Sequence, residues 1–172
     1  MAVNLADYFA RTRGIESGGD PNAVSPTGAT GVYQFIPSTW RQYGGGGDIH
    51  DPTAQQAAME RLTAANAAAL TKVLGREPTA GELYLAHQQG AFGASRLLGN
   101  PGASPASMGL GNAVRVNGGD PNAPASAFIS KWTSKFGDAP AAAPQVASLG
   151  PAPAPAAPPP AAAPTPPPAP RS

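Results

Sequence analysis

The residue in this 172-residue chain best placed for acid–base chemistry is Glu16. It ends a stretch with helically spaced apolar residues and directly precedes Ser17-Gly18-Gly19, where the backbone can turn sharply and approach a ligand. A carboxylic acid kept neutral near pH 7 by burial among few charges can protonate the leaving oxygen of a glycosidic bond. Arg11 and Arg13 would oppose that state if they faced it, and at their spacings from Glu16 they need not both do so. On local grounds alone, a solvated glutamate at a helix end is the better reading.

A second carboxylate would favour attack by water. Asp20 and Asp51 are explained as turn or cap residues, and Asp48 follows a glycine run, so none makes a convincing partner. Trp40, Tyr43 and Tyr84 can stack on sugar rings, although aromatics at helical spacing more often pack in a core. His50 reads as a loop residue.

Helices must position these groups. Residues 4–15 place Leu5, Tyr8, Phe9, Thr12 and Ile15 on one face, and a loop rich in Gly, Pro, Asn and Ser follows over 17–30. A short helix is expected over 37–43, ended by four glycines. The clearest helix runs over 51–74, with Asp51 as N-cap, a stripe of Ala58, Leu62, Ala65, Ala69 and Val73, and Gly75 as its stop. Thr79 and Glu82 form a capping box opening a helix to about residue 89, with another over 91–98. Residues 100–123 read as mostly irregular, and a last helix over 125–136 carries Phe128, Ile129, Trp132 and Phe136. The expected fold class is mainly α, with at most a small β-hairpin near residues 23–36. Gly18-Gly-Asp-Pro-Asn-Ala23 recurs as Gly118-Gly-Asp-Pro-Asn-Ala123, which reads as one turn sequence used twice.

Composition divides the chain. Thirteen of its 22 prolines lie between Pro140 and Pro170, and no charged residue stands between Asp138 and Arg171. Without large apolar side chains to offset the entropy of ordering, residues 139–172 read as a disordered, polyproline-rich tail or linker, leaving 1–138 as the folded domain. The basic and acidic residues of that domain cancel, so it has no positive field for nucleic-acid binding. Absence of cysteine excludes disulfides and thiolate metal sites. The first thirteen residues lack the pattern of a secretory signal peptide, and no apolar run suits membrane insertion.

A wider pattern surrounds Glu16. Ile15-Glu-Ser-Gly-Gly19 is followed by Asn22-Ala-Val-Ser25, then Gly31-Val-Tyr-Gln-Phe35, then Leu85-Ala-His-Gln-Gln-Gly90, and finally Phe128-Ile-Ser-Lys-Trp132. In this order the motifs closely resemble the soluble lytic transglycosylase domain of the lysozyme-like superfamily, in its phage-associated form, over most of residues 4–136. The resemblance implies a goose-type, lytic transglycosylase-like helical fold acting on peptidoglycan glycan strands. Glu16 matches the catalytic glutamate. The substrate-contacting set it implies is Ser17, Gly31, Tyr33, Gln34, His87 and Gln88, with Tyr33 and Phe35 alternating with Gln34 so that one face packs and the other lines the site. No metal or organic cofactor is implied.

Two positions depart from the family. His87 stands where a tyrosine usually hydrogen-bonds toward the catalytic carboxyl, and Gln88 replaces an asparagine. Neutral imidazole can donate the same bond, whereas imidazolium would stabilise the carboxylate. His87 also reads as a structural histidine. Three functions remain open: a transglycosylase forming a 1,6-anhydro product, a muramidase-type hydrolase using water, and a non-catalytic glycan-binding or structural module. The expected setting is the bacterial wall or periplasm, reached through a bacteriophage virion, an endolysin-type lysis system or a secretion apparatus. The tail is a possible tether to a phage tail or secretion assembly.

Overall fold

The computed structural model describes residues 3–137. The expected tail lies outside the described residues. Six α-helices follow in order: α1 (Leu5–Ser17), α2 (Pro37–Tyr43), α3 (Pro52–Leu74), α4 (Ala80–Gly99), α5 (Gly111–Val116) and α6 (Ala125–Thr133), with a closing 3₁₀ turn at Ser134–Phe136. None is long and apolar enough to cross a membrane.

Local chemistry explains most boundaries. Asn4 caps α1 by accepting from the Asp7 N–H, and left-handed Gly18 ends it. Asp51 accepts from Thr53 N–H at the start of α3, and left-handed Gly75 closes that helix. Both halves of the Thr79–Glu82 capping box form. Glu82, buried, also accepts two hydrogen bonds from the Arg76 guanidinium, at 2.7 and 2.9 Å.

Helix α4 packs against both α3 and α6. Its two expected segments join across Gly90, whose φ of 71° and ψ of 158° lie in a region open essentially to glycine alone. The core includes Tyr8 and Phe9 of α1, Met59 and Leu70 of α3, Leu83 to Ala86 and Leu97 of α4, and Phe128 and Trp132 of α6. Aromatic packing ties α1 and α4 to the closing 3₁₀ turn: the Tyr8 and Phe136 rings are 5.5 Å apart, and those of Tyr84 and Phe136 5.1 Å.

Four expectations change in detail. The buried face of α3 is Gln55, Ala58, Met59, Thr63, Asn66, Leu70 and Leu74, so of the expected stripe only Ala58 is fully buried, with Leu62 packed at the core's edge; polar side chains on this face disguise it. Leu5 and Ile15, at the ends of the α1 stripe, are exposed. Helix α5 occupies six residues of the stretch read as irregular. No strand forms among the described residues: two isolated bridges, Val24 with Thr30 and Thr30 with Phe35, replace the hairpin. Positive φ at Gly28, Gly31 and Gln34 breaks the extended backbone between them. The repeated hexapeptide forms the same turn twice, Asp20 accepting from Asn22 N–H and Asp120 from Asn122 N–H, each at 2.8 Å.

Candidate active site

Glu16 sits in the last turn of α1 and lines a cleft of about 800 Å³. Its side chain is 12% exposed. Three side chains of α4 converge on one of its oxygens. Tyr84 Oη donates to Oε1 at 2.8 Å, Gln88 Nε2 donates to the same atom at 2.5 Å, and His87 Nε2 lies 3.7 Å away. Residues 84, 87 and 88 share one helix face because they are three and four apart. Among the described residues no hydrogen bond reaches Oε2, which leaves that oxygen for a ligand.

Tyr84 is the functional residue that sequence reasoning misplaced. The bond to the carboxyl was expected from His87, and it comes from one turn earlier on the same helix. Burial, and then the neighbouring Glu16 charge, push the Tyr84 phenol well above its ordinary range, so it remains a donor. Its ring is wedged against Phe136 and Trp132 and stacks on His87 at 6.1 Å. Burial drives the His87 pKa down, opposed by the Glu16 charge and by the Tyr33 backbone. The contact at 3.7 Å is therefore a neutral imidazole beside a carboxyl, not an ion pair.

The arginines that could have disturbed Glu16 are engaged elsewhere. Arg11 donates to the Phe136 carbonyl and lies over the Phe136 ring, while Arg13 lies over the Tyr33 ring.

The structure divides the other expected site residues into two groups. Gln34, His87 and Gln88 line the cleft with Glu16. Gln34 holds a left-handed φ of 53°, rare for a residue with a side chain, and its amide donates to the carbonyls of Ala23 and Gly31. Ser17, Gly31 and Tyr33 do not line the cleft. Ser17 Oγ donates to the Val32 carbonyl at 2.9 Å and accepts from Gly19 N–H, fastening the end of α1 to the loop. Gly31 lacks a side chain because a Cβ there would collide with the Gln55 amide. Tyr33 is a correction: it is fully buried, its ring against Phe9 and its hydroxyl on Gln56, with its pKa pushed up to about 12 chiefly by burial. The expected alternation around Gln34 does not hold: a turn replaces the strand, with Gln34 N–H bonded to the Gly31 carbonyl, and buried Phe35 lines the cleft beside Gln34 while Tyr33 does not.

Gln55 supports this loop and was not singled out in the sequence. Its carbonyl accepts from Tyr33 N–H at 2.9 Å, and its amide donates to the carbonyls of Thr30 and Ile49 at 2.8 and 2.6 Å. Asp20, Asp48 and Asp51 serve turns and the α3 cap, so Glu16 is the one carboxylate among the described residues lining the cleft. Tyr43 also lines it, whereas Trp40 packs on Phe35 and His50 is exposed.

Residues 6–78 match the family described as a Transglycosylase-like domain. That match is consistent with the lytic transglycosylase, lysozyme-like family, and it indicates a glycosidic-bond-cleaving enzyme whose substrate is cell-wall peptidoglycan. It spans α1 to α3 and stops short of α4, so the contribution of Tyr84, His87 and Gln88 rests on the geometry above. No curated protein matches the chain.

Proposed function

We propose that the cleft cleaves the β-1,4 bond between N-acetylmuramic acid and N-acetylglucosamine, with Glu16 as single acid and base. The observation that carries this reading is the isolation of Glu16: one carboxylate on a cleft wall, one oxygen tied by Tyr84 and Gln88, the other unbonded among the described residues. Glu16 first gives its proton to the glycosidic oxygen, so the N-acetylglucosamine leaves as an alcohol. The resulting carboxylate then takes the proton of the muramic acid 6-hydroxyl as that oxygen bonds to C1. A 1,6-anhydro ring closes and Glu16 is protonated again. Tyr84 and Gln88 hold the carboxyl through both steps, and Gln34, Gln88 and His87 contact the glycan.

Ring closure needs no second carboxylate to activate water, which is why it is preferred here to hydrolysis. Mass spectrometry of digested peptidoglycan tests the choice. Anhydro-muropeptides are expected; products bearing only reducing ends would make the protein a muramidase-type hydrolase. The proposed place of action is the bacterial wall, with delivery by a virion, lysis system or secretion apparatus and residues 139–172 as the tether.

A further inference from the structure

Helix α2 supplies Thr39, Gln42 and Tyr43 to the cleft wall, yet none of its seven residues is fully buried. A helix this short is unstable alone, so contacts with the rest of the fold must hold it. On one side the Trp40 ring packs edge-on against Phe35, with centroids 5.5 Å apart. On the other, Arg61 of α3 reaches the end of the helix. Its Nε and Nη2 both donate to the Tyr43 carbonyl, at 2.8 and 2.5 Å. That carbonyl is among those a helix leaves unpaired at its C-terminus, where a cationic donor suits it best. The guanidinium has no carboxylate within ion-pair distance among the described residues, so its hydrogen bonding is spent on this clasp. The glycine run after α2 serves the same arrangement. A Cβ on Gly45 would stand 3.3 Å from Arg61 Nη2, and one on Gly47 2.9 Å from the Ala54 side chain. Within the run, only Gly46 faces open space.

We propose that Arg61 is a positioning residue for glycan cleavage: by clasping the Tyr43 carbonyl it fixes the α2 wall, and that wall sets how tightly a glycan strand is held. Glu16, Tyr84 and Gln88 stand on α1 and α4, so loosening α2 weakens binding and leaves the proton transfers intact. The inference rests on the glycan-cleavage reading and adds the residue that holds one wall of the cleft in place.

Steady-state cleavage of soluble glycan strands by the full chain tests it. Arg61→Ala should raise KM about fivefold to tenfold, as expected for losing a charge-assisted hydrogen bond, with kcat within about twofold of wild type. Arg61→Lys, which keeps one cationic donor, should recover most of that loss. A merely structural role would lower the melting temperature without moving KM. Gly45→Ala and Gly46→Ala separate the clasp from loop stability, since both carry the strain of a positive φ, 64° and 80°. Only Gly45→Ala crowds the guanidinium, so it should raise KM about twofold while Gly46→Ala stays at wild type. This pair decides the matter even where Arg61→Ala fails to fold. The proposal is overturned by an unchanged KM in Arg61→Ala, or by Gly46→Ala raising KM as much as Gly45→Ala. Wild type that leaves the strands uncut would instead defeat the glycan-cleavage reading, and this inference with it.

Discussion

The Tyr84 hydroxyl donates to Glu16 Oε1 across 2.8 Å, joining α4 to the end of α1 over a sequence separation of 68 residues. With Gln88 on the same oxygen, the carboxyl has one fixed side and one side left to substrate. Tyr84→Phe keeps the ring packed on Phe136 and Trp132 and deletes this donor, together with the weaker bond that Gln88 Nε2 donates to the same hydroxyl at 3.3 Å. The expected cost is about 1–2 kcal/mol of stability, with kcat reduced about tenfold or more. Steady-state kinetics beside a thermal melt check this, and an unchanged kcat would remove the bond from the mechanism.

His87 should make the site sensitive to acid. Its folded-state pKa lies below the ordinary 6.5, chiefly through burial, while Glu16 and the stacked Tyr84 face it. Between the lowered value and 6.5 the unfolded chain binds the proton more readily. Stability from the neutral imidazole is therefore complete above pH 6.5 and lost as pH falls through the lowered value. Activity should fall only as pH drops toward and through the lowered folded-state value, where imidazolium forms beside Glu16 in the folded protein. His87→Tyr should show a different pH–rate profile; one that overlays wild type would dismiss the role.

Two glycines with similar φ should tolerate alanine differently. At Gly90 an added Cβ meets nothing within 4 Å, so only backbone strain of about 1–3 kcal/mol opposes it. At Gly31 the strain of a positive φ of 80° is joined by collision with the Gln55 amide. Gly31→Ala should melt clearly lower than Gly90→Ala in denaturation experiments. Equal melting temperatures would contradict the packing described for Gln55.

Gln55→Ala should be among the more destabilising single changes on α3. It strands Tyr33 N–H and removes donors from the carbonyls of Thr30 and Ile49, a loss of about 3 kcal/mol or more. Urea unfolding measures it, and a loss below about 1 kcal/mol would show that the loop holds without the clamp.

The helices were readable wherever the determinant is local. Asn4, Asp51, Thr79 and Glu82 satisfy nearby backbone N–H groups, and Gly18 and Gly75 stop helices through their own φ. Glu16, Gln34 and Gln88 were legible as cleft residues because their motifs carry a resemblance. Gln55 and Tyr84 were not, since their roles depend on which face of α3 or α4 meets a distant segment. A glutamine that replaces three backbone partners looks in sequence like any exposed glutamine on a helix. Likewise, nothing local distinguishes a tyrosine in the core from one whose hydroxyl reaches Glu16.

The central claim is that Glu16 breaks the glycan, and Glu16→Gln against wild type on purified peptidoglycan tests it most directly. The variant keeps the side chain's size and removes its ability to exchange a proton. Wild type should release anhydro-muropeptides, and the variant should release them at least about a thousandfold more slowly while melting within a few degrees of wild type. Equal release by both proteins would contradict the account.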